Sequence, residues 1–348
     1  MKAARLHQPN QPLKIDDLPK PRPGHSEVLI SVEAAGICGT DLHIQDGEFM
    51  NVPGVERSSM KLPRVLGHEI SGIVVEPGDA VTGFKIGDRV TVSPNVSCGQ
   101  CEFCLRGEGA ICENRYSYGE DVDGGFEEFV AIKKENLFKI PDSISFEEAA
   151  IMADALATPF HAMSLLNVSL GDTIAIYGIG GLGMNAVQIG KLRGARILAV
   201  DVIEDKLRVA KDLGADVVIN AHEENPVERI LELTNGKGVD KAFEMVGGQA
   251  TVEAAIRSVK RGGKVGVVGG SNQEFRVGIR QLLWNDISIY ACYGRLEPYI
   301  TQMLSLVGDG KIDLKRMITN RVKLEDINEG FRILRDKVGN PIRVAVLT

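Results

Sequence analysis

A chain of 348 residues is long enough for about two domains, each with a core of its own. With 47 acidic against 40 basic residues and a net charge of −7, nothing in the balance favours nucleic acid as a partner. The start, MKAARLHQPNQPLKI, lacks an apolar leader core, and no window approaches the roughly 18 uninterrupted apolar residues of a membrane span, so the expectation is a cytoplasmic protein without a membrane partner.

Up to about residue 150, short runs with period-2 patterning alternate with turn residues: EVLISVEAAGIC, ISGIVVEPGDAV, DRVTVSPNV and GFEEFVAIKKENLFKI. This pattern predicts a curled antiparallel sheet or small barrel. Two single candidates lie within it, Cys38 in GICGTDLH and His68 in GHE. Taken alone, such a cysteine is usually a small core hydrophobe and such a histidine a satisfied core residue.

Four of the six cysteines then fall together in CGQCEFCLRGEGAIC, as Cys98, Cys101, Cys104 and Cys112. In a cytosolic chain that clustering points to metal before disulfides. Four thiolates at short spacing predict a closed tetrahedral zinc site, with no open position for substrate and therefore a loop-holding role. The competing reading, an iron–sulfur cluster, lacks a second cysteine group of redox type. The isolated Cys292 reads as a core residue.

In EEAAIMADALATPFHA, residues 147–162, a lone carboxylate, Asp154, stands in an apolar run. An ionised group there costs several kcal/mol unless it is paired. A helix N-cap is the plain structural role, but Thr158 followed by Pro159 makes a better start for the next helix. Asp154 instead follows the helical run SFEEAAIMA, whose negative end disfavours it. Its partner must come from elsewhere in the chain.

From DTIAIYGIGGLGMNAVQIGKL onward the pattern changes to apolar strands alternating with helices: TIAIY, RILAVD, DVVIN, DKAFEMV, KVGVVG and DISIYACY. Six such strands predict a doubly wound parallel sheet. Gly178, Gly180 and Gly183 fit G-x-G-x-x-G directly after a strand, a turn that lets backbone approach a pyrophosphate at a helix N-terminus. The pattern alone is weak, but RILAVD follows and ends in Asp201, 23 residues after Gly178. A carboxylate there accepts from a ribose 2′-OH and repels a 2′-phosphate, which favours NAD over NADP. Lys206 either closes over the same ribose or is a solvated helix lysine. The chain ends with the helices EPYITQMLSLVGDG and LEDINEGFRILRD and the strand IRVAVL, a segment expected to return to the first domain. There are no internal repeats.

GICGTDLH, GHEISG, the four-cysteine lobe and GIGGLG, in this order and spacing, resemble the zinc-dependent alcohol dehydrogenases of the medium-chain dehydrogenase/reductase family, over essentially the whole chain. The resemblance implies an α/β protein: a GroES-like β-rich catalytic domain over 1–154 holding both zincs, a Rossmann NAD-binding domain over 155–293, and a segment 294–348 returning to the catalytic domain. It places the catalytic zinc on Cys38, His68 and Asp154, with Glu69 beside the metal and able to exchange with water, and the structural zinc on the four-cysteine lobe. Thr40 and His43 take the positions of the proton relay, and Arg343 in NPIRVAVL that of an arginine near the cofactor phosphates. Gly181, Leu182 and Val268 complete the cofactor set. Two positions depart from the common pattern. Gly39 stands where many members carry a phosphate-contacting Arg or His, and the third zinc ligand, often a cysteine, is Asp154. A subset of secondary alcohol dehydrogenases uses an aspartate at that place.

The expected activity is therefore reversible hydride transfer between NAD and an alcohol, a secondary one by the Asp154 signature, with two Zn²⁺ per chain. The substrate alcohol would occupy the open zinc position, its proton leaving through Thr40, the cofactor ribose and His43, with Asp41 either orienting the site or forming a turn. Within the same enzymes a polyol, a sugar or a cyclic hydroxyacyl thioester is the alternative substrate. From another class, a catalytically silent NAD-binding protein is opposed by the intact relay and metal set, and a zinc-free enone or quinone reductase has no use for Cys38, His68 and Asp154 together. The segments QDGEFMNVPGVERSSMKLP and YACYGRLEPY are expected to shape the pocket and its entrance. By analogy the edge strand DISIYACY pairs across a two-fold axis in a homodimer or homotetramer.

Overall fold

The computed structural model describes residues 1–48, 61–294 and 297–348. Residues 49–60, most of the first segment expected to shape the pocket, and 295–296, within the second, lie outside the described residues. The chain divides into two compact units, Met1–Ala157 with Gly294–Thr348, and Thr158–Tyr293.

The first unit is organised around the 11-residue strand Glu27–Ile37. It pairs antiparallel with Glu69–Pro77, Phe129–Lys133 and Arg343–Leu347, so the carboxyl-terminal strand lies against an amino-terminal one. Arg89–Val92 and Leu137–Lys139 extend the sheet on one side, and Ile318–Lys323 closes the other, parallel to Arg343–Leu347. Two register shifts in the pairing with Glu69–Pro77 act as bulges and curl the sheet. One face packs Val28, Ile30 and Val32 on Ile70, Val74, Val90 and Val92. Another cluster gathers Ile37, Leu66, Phe126, Phe331 and Val344. Each such side chain contributes about 1.5–3 kcal/mol on burial.

Around Asp154 the sequence expectation of one helix ending and another starting at Thr158 is corrected. The chain is helical without a break: α-helix over Phe146–Ile151, a π-helical segment over Met152–Leu156, and α-helix over Ala157–Leu165. Thr158 and Pro159 lie inside the last of these, after its first residue, Ala157. The physical reason is Pro159, which has no N–H to donate and whose ring would strike the carbonyl of Ala155 in a regular turn. Widening the preceding turn to i→i+5 bonds relieves that clash.

The second unit is a six-stranded parallel sheet in the order Val217–Asn220, Arg196–Asp201, Thr173–Tyr177, Val239–Glu244, Val259–Val267 and Ser288–Ala291. That is the doubly wound order 3-2-1-4-5-6, whose ligands bind at the carboxyl ends of the strands. Ile174, Ala175, Ile176 and Tyr177 are all buried, as a strand covered on both faces requires. No helix among the described residues is long and apolar enough to cross a membrane.

Candidate metal and dinucleotide sites

Four potential ligands meet in the first unit. Cys38 caps the helix Gly39–Gln45, His68 and Glu69 stand at the start of Glu69–Pro77, and Asp154 projects from the π turn. One ligand atom from each lies within 4.8 Å of the others, and all four residues are buried. Asp154 Oδ2 is 3.5 Å from Cys38 Sγ and 3.4 Å from His68 Nε2. A tetrahedral zinc with bonds of about 2.0–2.3 Å requires donor separations of about 3.3–3.8 Å, and both separations from Asp154 fit the ion.

Three local features hold the set. Asp41, fully buried, accepts from the Cys38 N–H at 2.8 Å and from the Gly67 N–H at 3.1 Å, so one carboxylate ties together the two segments that bear Cys38 and His68. Its Oδ1 also faces His68 Nδ1 at 3.7 Å, leaving Nε2 toward the donor set. Gly36 pairs with Glu69, and a Cβ there would lie 1.8 Å from Glu69 Oε2, so only glycine leaves the carboxylate its place.

The electrostatics call for a cation. Burial pushes the Glu69 carboxyl well above its ordinary range, and neither of its oxygens has a hydrogen bond. Arg343 Nη2 is its ion-pair partner at 3.4 Å, and lies 4.0 Å from Asp154 Oδ2. Burial opposes a charged Arg343, but Glu69, Cys38 and Asp154 outweigh it. Burial likewise raises the Cys38 thiol, and Arg343 with His68 more than reverses it. A divalent ion among these donors would favour the Cys38 thiolate, the Glu69 and Asp154 carboxylates and the neutral imidazole of His68. Arg343, expected near cofactor phosphates, is thus buried beside the metal ligands.

Thr40 and His43 lie one helical turn apart on Gly39–Gln45, and so share a face. Thr40 Oγ1 is 3.9 Å from Cys38 Sγ. His43 Nδ1 is 2.6 Å from Glu48 Oε2.

The four-cysteine lobe brings all its sulfurs within 4.8 Å of one another. Cys98 and Cys104 are 4.0 Å apart and Cys101 and Cys104 3.5 Å, against about 3.8 Å for the edge of a Zn–S tetrahedron. Backbone N–H groups of Gln100 and Cys101 bring the Cys98 thiol down to about 6, in the thiolate form that a metal needs. Burial pushes Cys112 up to about 12, and its Sγ accepts from the Cys98 N–H at 3.2 Å.

In the second unit Gly178 follows the strand Thr173–Tyr177 with φ of 90°, and Gly180 caps the helix Gly181–Leu192 without a side-chain bond. A Cβ on Gly180 would meet nothing within 4 Å, while one on Gly183 would lie 1.9 Å from the Gly178 carbonyl oxygen. The turn is thus closed on its inner side and open where a pyrophosphate would rest. Asp201 Oδ2 accepts from Ile179 N–H at 2.6 Å, and Oδ1 from Val202 and Ile203 at 2.8 and 2.9 Å. The same carboxylate expected to read a ribose therefore also fixes the glycine turn. Lys206 is half-buried on the helix Glu204–Asp212.

Sequence reasoning missed Glu244, which is fully buried at the carboxyl end of its strand. Its side chain accepts from Val246 N–H, Gly247 N–H and Thr251 Oγ1, and its carbonyl from Val268 and Gly269. The signal was present in FEMVGG, an acid between an apolar strand and a glycine pair.

Comparison with known proteins gives the same picture. A family model described as alcohol dehydrogenase GroES-like domain matches residues 24–142, and one described as zinc-binding dehydrogenase matches residues 181–309. The chain is 37% identical to a sorbitol dehydrogenase of Bacillus subtilis, covering 95% of this chain and 92% of that one. It is 36% identical to an NAD-dependent alcohol dehydrogenase of Sulfurisphaera tokodaii, covering 95% of each. The solved alcohol dehydrogenase of Aeropyrum pernix superposes with a TM-score of 0.91 at 35% identity, covering 100% of both chains.

Proposed function

The chain belongs to the zinc-type alcohol dehydrogenases of the medium-chain dehydrogenase/reductase family, and from that premise we propose that it oxidises a secondary alcohol with NAD at a catalytic zinc held by Cys38, His68 and Asp154, with Glu69 as the exchanging fourth donor. It is an oxidoreductase of CH–OH donors, alcohols or polyols, and uses zinc and NAD. The observation that carries the finer reading is the Asp154 carboxylate, 3.4 Å from His68 Nε2 and 3.5 Å from Cys38 Sγ.

A zinc bound there supplies Lewis acidity to a substrate oxygen, and bound NAD supplies the hydride acceptor. The residues of the chain do the rest. Cys38 and Asp154 set the charge of the centre, and an aspartate in place of a second thiolate donates less electron density. Glu69 is held close by Arg343. Thr40 receives the substrate proton and His43 passes it to solvent. Cys98, Cys101, Cys104 and Cys112 hold a second, structural zinc that fixes their loop. Gly178, Gly180, Gly181, Leu182 and Gly183 hold the pyrophosphate, Asp201 and Lys206 the adenosine ribose, and Val268 completes the cofactor set of this unit. A cytoplasmic setting agrees with the metal-type clustering of cysteines. Exposed Ile279, Leu283 and Trp284, just before the edge strand Ser288–Ala291, support a homodimer or homotetramer.

The test is turnover on primary, secondary and cyclic alcohols and polyols, with NAD and NADP in parallel. Secondary alcohols with NAD should give the highest kcat/KM. Better use of NADP would refute the role given to Asp201, and a preference for primary alcohols the inference from Asp154. The 37% identity to a sorbitol dehydrogenase favours polyols as the second reading, and sorbitol in the same panel decides it.

A further inference from the structure

The relay histidine has a partner that no part of the reading above requires. His43 stands in the last turn of the helix Gly39–Gln45, and its Nδ1 meets Glu48 Oε2 at 2.6 Å just beyond the helix end. Neutral imidazole has one protonated and one unprotonated nitrogen, and a carboxylate at hydrogen-bond distance fixes which is which. An ionised carboxylate only accepts, so the proton sits on Nδ1 and the lone pair on Nε2. We propose that Glu48 is a positioning residue that locks His43 in the Nδ1–H tautomer, so that Nε2 is the atom that takes up the substrate proton. This rests on the relay reading of Thr40 and His43 given above.

The proton then has a balanced path. The O–H bond on the Thr40 side breaks as the Nε2–H bond forms, and the ring becomes an imidazolium stabilised by the Nδ1–H···Glu48 bond. Loss of the Nε2 proton to water restores the neutral ring. Among the described residues, the other charged groups nearest this helix have hydrogen-bond partners of their own, and Arg335 also feels the Glu48 carboxylate at longer range. Asp41 binds the Cys38 and Gly67 amides, and Asp46 pairs with Arg335 of the helix Ile327–Arg335 at 2.8 Å. Arg335 also reaches Gln45 Oε1 at 2.7 Å, so Asp46 and Gln45 hold it. Were the His43–Glu48 contact only a helix-end ion pair between partly exposed side chains, it would contribute about 0–1 kcal/mol and leave the reaction alone.

Two measurements on the zinc-loaded protein decide. The first is the tautomer of His43 from two-bond ¹H–¹⁵N correlations of ¹⁵N-histidine-labelled protein, assigned by the signal lost in His43→Gln. Wild type should show a protonated Nδ1 and an unprotonated Nε2, and Glu48→Ala should move the proton toward Nε2. The second is the single-turnover rate of NADH formation. Glu48→Ala should lower it about tenfold, the size of effect typical when an orienting partner is removed, with substrate KM changed less than twofold. Glu48→Gln, whose amide oxygen accepts the same bond, should recover most of the rate. In a His43→Ala background Glu48→Ala should have no further effect. An unchanged tautomer in Glu48→Ala overturns the assignment of Glu48 while leaving the relay standing. An unchanged rate in His43→Ala overturns the relay itself, and with it the function given to Glu48.

Discussion

Glu127 titrates in a range where the enzyme would work, and its effect on stability can be worked out from its surroundings. The residue is 4% exposed in the segment GFEEFV. Burial, reinforced by Asp123 and opposed by Arg5, moves its carboxyl from the ordinary 4.5 to about 8. The flanking backbone supports the metal site, since Gly125 and Phe126 donate to the carbonyls of Gly67 and Leu66, just before the ligand His68. The folded pKa is raised, so the contribution to stability is fully present below the unfolded value and is lost as pH rises through the folded one. Between pH 4.5 and 8 the unfolded chain releases a proton that the folded chain keeps, and stability falls by about 1.4 kcal/mol per pH unit, roughly 5 kcal/mol at most. Glu127→Gln removes the titration while keeping the shape. Thermal unfolding of the zinc-loaded proteins from pH 5 to 9 should give matching midpoints at the acid end. At pH 9 the variant should unfold about 10 °C higher, at about 2–4 °C per kcal/mol. Parallel curves across the whole range would refute the reasoning.

Asp154→Ala should bring the zinc content from near two per chain to near one and abolish most turnover, as read by elemental analysis and NADH formation; full metal and full rate would be the opposing result. Cys101→Ser should act the other way round, lowering the unfolding temperature and the yield of assembled protein before it touches kcat. Gly183→Ala would put a Cβ 1.9 Å from the Gly178 carbonyl oxygen, so the turn must open by about 1 Å. A misplacement of that size can cost a reaction about a hundredfold, so turnover should fall steeply, and NAD titration by fluorescence should show a weaker Kd with metal content unchanged.

Much of this architecture could be read from residue order alone. The six strands of the parallel sheet were legible because a strand covered on both faces is written as a short apolar run, as TIAIY and RILAVD are. The thiol lobe was legible because four cysteines within 15 residues of a turn-rich loop rarely coincide unless they share a metal. The contacts that hold the site were not, for a physical reason. Asp41 joins segments 26 residues apart and Arg343 reaches Glu69 from the other end of the chain, and long-range pairings of single side chains leave no local period. Glu127 and Glu244 hide among ordinary acids, since burial is a property of the fold and not of the residue type. The helix through Asp154 was misjudged because a Thr-Pro pair signals a start wherever it occurs, and only the widened turn before it shows that here the helix runs through.

That widened turn has a consequence for how such an enzyme can change. A π segment is an α-helix with one residue added, and each residue advances the helical direction by about 100°. Deleting Ala153 would keep every polar group in the segment yet swing the carboxylate of Asp154 away from Cys38 and His68. The third ligand is therefore specified by count as much as by chemistry. A lineage could lose this metal centre through a one-codon deletion with all its ligand residues still encoded, and an alignment that scores only identities would not notice.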